Sequence, residues 1–230
     1  MTRKFRLLLR AFLRAVPLFA WWLICLFGSA GQLTWKRGWI CTVLYLGGMY
    51  ISRAVITKLN PGLLEQRQIA IRQDTKAYDR ILLRLILLLT ILQPLIAGLD
   101  AVRFAWAPMR FWTVYPGIGL FMISANLITW VLVKNPHADS SVRVESARDH
   151  TVISSGPYRL VRHPMYVGLI LLHTSIALIL GSSWTLALAM LLTLLFLWRT
   201  AMEDQTLRWE LPGYEEYAKV TRYRLMPGIW

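Results

Sequence analysis

Long apolar blocks dominate this sequence and limit what the chain can fold into. Five blocks are predicted to cross a membrane: residues 15–30, 39–56, 81–99, 111–133 and 166–198. One crossing takes about 20 helical residues, so the fifth block is too long for a single span. Gly181-Ser182-Ser183 breaks it near its middle, which predicts a helical hairpin and six crossings. If the block instead forms a single long bent helix, the chain crosses the membrane five times.

Composition supports this fold class. Hydrophobic residues make up 56% of the chain and charged residues only 17%, whereas soluble domains carry roughly a quarter. The sequence therefore predicts an all-α integral membrane bundle with five to six transmembrane helices and a C-terminal helical hairpin. Cys25 and Cys41 both fall inside apolar blocks, so the two thiols indicate neither a disulfide framework nor a metal site.

The distribution of basic residues predicts the orientation of the bundle. Of the 26 Lys and Arg residues, 22 fall on the side that holds both termini when six spans are assumed. The other side carries Lys36, Arg37, Arg103 and Arg110. Cytoplasmic loops keep such an excess, so both termini are predicted to be cytoplasmic, in the inner membrane of a bacterium. Because the basic residues are spread over four juxtamembrane segments, they do not predict nucleic-acid binding.

Several function classes find no support in the sequence. No glycine-rich strand–turn–helix pattern for a nucleotide is present, and the four histidines (His137, His150, His163 and His173) lack metal-ligand spacing. No predicted span has a charge in its middle third, which disfavours a transporter or channel. Arg84 and Arg199 lie close enough to span ends for their guanidinium groups to reach water.

The chemistry-bearing residues concentrate after residue 134. The segment 155–168 contains a Gly156-Pro157 turn and Arg162-His163, and Pro164 suits the first turn of a helix. A helix start beside Arg162 can hold an anion, although Arg162 and His163 also fit the basic-inside pattern alone.

Two further groups of polar residues follow the hairpin. The adjacent carboxylates of Glu203 and Asp204 could bind a cationic group, or form ion pairs with Arg199 or Arg208 one helical turn away. The tail contains Tyr214, Tyr217, Arg222, Arg224 and Pro227. The tail is predicted to form a turn, a short amphipathic helix and a basic terminal segment. These would either pack on the protein surface or anchor a substrate.

Taken together, these blocks resemble the membrane methyltransferases that include isoprenylcysteine carboxyl methyltransferase and the phospholipid methyltransferases. The resemblance lies in Gly-x-Tyr-x-x-x-Arg-His-Pro-x-Tyr-x-Gly at 156–168, in the acidic pair one hairpin later, and in the tail, so it covers about the last 95 residues. Two positions depart from the pattern. The second acidic residue is Asp204 where the family often has glutamate, and Pro212-Gly213 replaces a phenylalanine-glycine pair.

The resemblance implies a cytosolic binding site for S-adenosylmethionine. The residues that it assigns to this cofactor are Gly156, Tyr158, Arg162, His163, Pro164, Tyr166, Gly168, Glu203 and Asp204. Within this set Glu203, with Asp204, would receive the methionyl ammonium, and Arg162 the methionyl carboxylate. Arg222 or Arg224 would orient a carboxylate or phosphate of the acceptor, and His163 or Glu203 would take a proton from an amine acceptor.

The resemblance also divides the chain in two. Residues 1–133 would form the N-terminal spans, with an interfacial connector at about 57–80, and residues 134–230 the catalytic region. The expected activity is methyl transfer to a carboxylate or amine of a lipid or lipophilic small molecule, without a metal. Two other readings stay open on the sequence alone, namely a nicotinamide-dependent reductase with a similar membrane region and a non-catalytic lipid-binding protein.

Overall fold

The computed structural model describes residues 17, 19–60, 76–135 and 152–230. Within these ranges the chain is helical apart from turns and one isolated bridge between Pro108 and Ser182. The predicted all-α membrane fold is therefore confirmed. Most of the predicted connector at 57–80, and most of the polar stretch between residues 134 and 163, lie outside the described residues.

Seven helices follow one another along the described chain. They are α1 (Phe19–Gly28), α2 (Lys36–Leu59), α3 (Ala77–Gly98), α4 (Val114–Lys134), α5 (Pro164–Leu180), α6 (Ser183–Glu210) and α7 (Tyr214–Val220). A π-helical segment, Leu99–Arg103, continues α3, and a 3-10 turn, Phe111–Thr113, precedes α4. A second 3-10 turn, Gly156–Arg159, lies before α5.

Four of these helical stretches are long and apolar enough to span a membrane: Lys36–Leu59, Ala77–Arg103, Phe111–Lys134 and Ser183–Glu210. The apolar helices α1 and α5 are shorter. At a rise of 1.5 Å per residue, the 17 residues of α5 reach only about 25 Å. The described residues thus contain four helices of spanning length, and the number of crossings, five or six, stays a prediction.

The break inside the fifth apolar block lies where the sequence predicts it. Gly181 ends α5 in the left-handed region, at φ 78°, a conformation that glycine adopts without steric cost. The hydroxyl of Ser182 then accepts a hydrogen bond from the amide of Thr185 at 3.0 Å and caps α6. It also donates to the buried carboxylate of Asp100 at 2.6 Å. Helices α5 and α6 pack against each other across this short turn.

A buried arginine closes the same end of the bundle. The guanidinium of Arg37, in the first turn of α2, donates to the carbonyls of Leu178 and Ile179 at 2.6 and 2.7 Å. It also donates to the hydroxyl of Thr113 at 2.6 Å. These bonds satisfy carbonyl groups at the C-terminus of α5, which have no partner within the helix. Arg37, which the charge distribution placed among the few basic residues of the opposite side, thus joins α2 to α5 and to the turn before α4.

The opposite end of the bundle gathers the ends of α2, α3, α4 and α6. The side chain of Asn60 donates to the carbonyl of Leu132 at 3.1 Å, and Lys76 pairs with Glu210. Within the bundle α5 packs on both α4 and α6, and α3 packs on α6. All of the predicted site residues lie at this end or in the segments attached to it.

Candidate active site

A fully buried carboxylate lies at the centre of this end of the bundle. Asp204, near the C-terminal end of α6, has no exposed surface. Its two oxygens accept hydrogen bonds from Arg162 Nε at 2.7 Å and Arg162 Nη2 at 3.0 Å, a paired geometry. The hydroxyl of Tyr214 on α7 donates to the same carboxylate at 3.0 Å. Asp204 thus joins α6, α7 and the segment before α5.

Further cations surround the Asp204 carboxylate. Arg208 Nε and Arg224 Nε lie 3.3 and 3.0 Å from Oδ2, and His163 Nε2 lies 3.3 Å from Oδ1. A single carboxylate therefore balances three guanidinium groups. One alternative from the sequence was that the acidic pair forms ion pairs one helical turn away. Asp204 does so with Arg208.

Electrostatics fix the protonation states of this cluster. Burial alone would lower the pKa of Arg162, but the hydrogen bonds and charge of Asp204 outweigh burial and raise it. Burial and the same carboxylate raise the pKa of the Tyr214 hydroxyl far above its usual range. Arg162 is therefore charged and Tyr214 neutral at physiological pH, the states that their hydrogen bonds to Asp204 require.

The C-terminal tail is hydrogen-bonded along the segment before α5. The amides of Arg162 and His163 each donate at 2.9 Å, to the carbonyls of Tyr223 and Arg224 respectively. Arg162 Nη1 adds bonds to the carbonyls of Thr221 and Arg222 at 2.8 and 2.7 Å. All three guanidinium nitrogens of Arg162 are thus engaged within the protein, although the resemblance assigned this side chain to a cofactor carboxylate.

The turn at 156–159 is held by α4 and α7. Gly156 has φ +64°, and a Cβ there would lie 3.0 Å from Lys134 Cγ and 3.2 Å from Trp130 Nε1. The carbonyl of Tyr158 accepts a hydrogen bond from the hydroxyl of Tyr217 at 2.6 Å. Burial raises the pKa of that hydroxyl well above its usual range. Glycine at 156 is therefore required by backbone conformation and by close packing on α4.

Glu203, the neighbour of Asp204, lies in a different environment. Consecutive helical residues point about 100° apart, and Glu203 is half-buried where Asp204 is fully enclosed. Its carboxylate accepts a hydrogen bond from the Tyr166 hydroxyl, and no described cation forms a salt bridge with it. The Tyr166 ring stacks between His163 and Phe196, with centroids 6.0 and 5.8 Å away.

The two tail arginines also differ in environment. The Arg224 guanidinium lies over the Trp230 ring, 5.0 Å from its centroid, in addition to its bond to Asp204. The Arg222 side chain is exposed and has no ion-pair partner in the part of the chain that the structure describes. Of these two arginines, Arg222 is therefore the one whose side chain is exposed to an external anion.

The last two predicted residues begin and pack α5. Pro164 is its first residue, where a missing amide hydrogen removes no helical bond. Gly168 faces α4: a Cβ there would lie 2.6 Å from Ile128 Cγ1, and its carbonyl accepts from Ser124 Oγ at 2.7 Å. Helix packing accounts for this glycine, and its contact with a cofactor stays a prediction.

One expectation from the sequence is wrong. Arg199 was expected to reach water from a span end, but it is 6% exposed and its guanidinium pairs with Asp79 of α3. Asp79 is fully buried and lies in a half of the chain that carried no motif. A lone carboxylate at the start of an apolar block was the only sequence signal for this pair.

Comparison with known proteins bears on the segment just described. Residues 108–209 match the phospholipid methyltransferase family. The match confirms the resemblance drawn from the motifs and indicates a membrane methyltransferase. It includes the Arg162-His163 segment and the acidic pair, but neither Asp79 nor the tail.

Two other comparisons add no argument about function. No curated protein matches the chain. Among solved structures, the chain is similar to a eukaryotic intramembrane Ras methyltransferase, described as isoprenylcysteine carboxyl methyltransferase. The identity is 16% and the TM-score 0.49, over 99% of this chain and 88% of that one.

Proposed function

We propose that this protein uses S-adenosylmethionine to methylate a carboxylate or amine of a lipid or lipophilic small molecule. Residues 134–230 form the methyl-transfer region in this proposal, and residues 1–133 embed it. The observation that carries it is the half-buried Glu203 carboxylate beside Tyr166, within the segment that matches the phospholipid methyltransferases.

The donor set suits the methionyl group of this cofactor. An ammonium needs a carboxylate that is not already neutralised by arginine. Asp204 pairs with three arginines, whereas no arginine in the described ranges forms a salt bridge with Glu203. The Tyr166 hydroxyl donates to Glu203 and so helps to hold this carboxylate in place. The Arg162–Asp204 cluster is buried and does not bind the ligand itself in this proposal. It fixes the helix and tail segments that carry these groups.

The chemistry asked of the protein is mainly positioning. S-adenosylmethionine, when bound, supplies a methyl group that its sulfonium centre already activates. Glu203 and Tyr166 bind and align, and alignment of reacting groups accounts for most of the acceleration in such displacements. Where the acceptor is an amine, Glu203 or His163 accepts its proton. A carboxylate acceptor needs no base.

The acceptor is expected to approach from the membrane. The exposed guanidinium of Arg222 lies on the tail that is bonded to the Arg162-His163 segment. An arginine pairs well with a carboxylate or phosphate through two parallel hydrogen bonds. Arg222 is thus proposed to orient the acceptor's anionic group, and Arg224 to hold the tail in place through Asp204.

The site is proposed to face the cytoplasm, where S-adenosylmethionine is made. The excess of basic residues at this end of the bundle supports that orientation. Both termini then lie on the cytoplasmic side of the inner membrane of a bacterium.

The test is cofactor binding by purified protein in detergent. Calorimetry should show that S-adenosylmethionine binds and that Glu203→Gln weakens binding at least about tenfold, the loss expected for one charge-assisted hydrogen bond. Glu216→Gln, which removes an exposed carboxylate from α7, serves as the matched control and should bind normally. A nicotinamide dinucleotide titrated into the same sample tests the reductase reading. Binding of neither cofactor by monodisperse protein would favour a non-catalytic lipid-binding protein.

A further inference from the structure

A second buried ion pair lies against the Tyr166 ring, outside the Asp204 cluster. Arg199 Nε and Nη2 donate to the two carboxylate oxygens of Asp79 at 2.7 and 3.1 Å. Asp79 is 0% and Arg199 6% exposed. The pair joins the first turn of α3 to α6, and Tyr78 adds a contact to Thr206 at 3.1 Å between the same helices.

Arg199 also contacts one of the proposed binding groups, Tyr166, and lies one helical turn from the other, Glu203. Its guanidinium carbon lies 5.4 Å from the centroid of the Tyr166 ring, and the Tyr166 hydroxyl donates to Glu203. Glu203 follows Arg199 by four residues on α6, and the two charges interact. Side chains four residues apart on a helix are neighbours that can form an ion pair. Arg199 therefore has two carboxylates within its reach.

In the structure Arg199 pairs with Asp79 rather than with Glu203. The paired hydrogen bonds hold the planar guanidinium toward α3, and paired geometry is stronger than a single contact. We propose that Asp79 is a positioning residue for cofactor binding, which acts by keeping Arg199 away from Glu203. No described cation then forms a salt bridge with Glu203, and its carboxylate stays open to the ammonium of a ligand. This inference rests on the proposed function.

The arrangement assigns a part in binding to the N-terminal half of the chain. Asp79 lies outside the segment that matches the methyltransferase family and does not touch Glu203 itself. Without Asp79, the paired hydrogen bonds that hold the Arg199 guanidinium toward α3 are lost. Glu203, one helical turn away on α6, is then a carboxylate within its reach. Arg199 then occupies the site that the ligand ammonium needs.

The experiment compares single and double variants by calorimetric titration with S-adenosylmethionine. Asp79→Asn should weaken binding at least tenfold, because Arg199 turns to Glu203. Asp79→Asn combined with Arg199→Gln should return the affinity to within about threefold of wild type, because no cation is left to block Glu203. A merely structural role predicts the opposite order, since the double variant has lost more of the native interaction. Weaker binding by the double than by the single variant would overturn the proposal.

A third variant guards against failure of the single one to fold. Arg199→Lys keeps a cation beside Asp79 but cannot make the paired hydrogen bonds, so its ammonium is shared with Glu203. It should bind three- to tenfold more weakly than wild type, and wild-type affinity in this variant overturns the proposal. Wild-type protein that binds no S-adenosylmethionine defeats the proposed function together with this inference. Normal weakening by Glu203→Gln, with no effect of Asp79→Asn, defeats the inference alone.

Discussion

Asp204 and Glu203 show how far two adjacent carboxylates can diverge. Asp204 is enclosed by Arg162, Arg208 and Arg224 and has no surface left for a ligand. Glu203 is half-buried and accepts one hydrogen bond from Tyr166. The shorter aspartate side chain at the second position, a departure from the family pattern, lies at the inner of the two sites. The pair is better described as one structural and one binding carboxylate.

Removal of the Asp204 charge should destabilise the protein strongly. Asp204→Asn leaves the buried Arg162 without its anion, and breaking a buried pair in this way costs about 3–5 kcal/mol. For a chain of this size that corresponds to a fall in Tm of about 10 °C, measured by thermal unfolding in detergent.

The matched control for this variant is Glu215→Gln. It removes an exposed carboxylate that pairs with the same Arg208, at 2.8 Å, and an exposed pair contributes about 1 kcal/mol or less. An equal loss of Tm in the two variants would show that the Asp204 cluster does not stabilise the bundle.

At the scale of helices, α5 is the element on which the site depends. It is packed between α4 and α6, its first residues adjoin the tail, and Tyr166 projects from its first turn toward Glu203. Its C-terminal carbonyls are held by Arg37 at the opposite end of the bundle. A small displacement of α5 along α4 would therefore move Tyr166 relative to Glu203.

The contact of α5 with α4 can be tested at Gly168. Gly168→Ala places a methyl group 2.6 Å from Ile128 Cγ1, and such overpacking costs about 1–3 kcal/mol. Gly119→Ala on α4 meets nothing within 4 Å and should be neutral or stabilising, because alanine favours helix. Thermal unfolding distinguishes them. A Gly168→Ala variant with normal Tm but weakened cofactor binding would instead place Gly168 at the ligand.

For the molecule as a whole, the two ends of the bundle carry different chemistry. One end is closed by Arg37 and Asp100 with backbone and hydroxyl partners. The other holds two carboxylate–arginine clusters, centred on Asp79 and Asp204. Both clusters are buried within the bundle, so charged groups at a membrane face are satisfied by one another. Among the charged residues of the predicted site, only Glu203 and Arg222 form no salt bridge with a described residue.

The proposed orientation predicts which end reacts with a membrane-impermeant thiol reagent. In a variant lacking Cys25 and Cys41, the exposed positions Ser183 and Glu216 report on opposite ends. Ser183→Cys should react in intact cells, and Glu216→Cys only after the membrane is permeabilised. The reverse pattern would place the site outside the cell and contradict a role with a cytosolic cofactor.

The sequence by itself determined the membrane class, the helical break at Gly181-Ser182 and the segments that meet at the site. These follow from block length, from a glycine that can adopt positive φ, and from motif order, which are local properties. The tertiary structure alone decided which carboxylate of the acidic pair is enclosed and which arginines are already paired. Arg199 and Asp79 are 120 residues apart, and no local pattern encodes which of two carboxylates a buried guanidinium meets. That choice depends on how α3 and α6 pack.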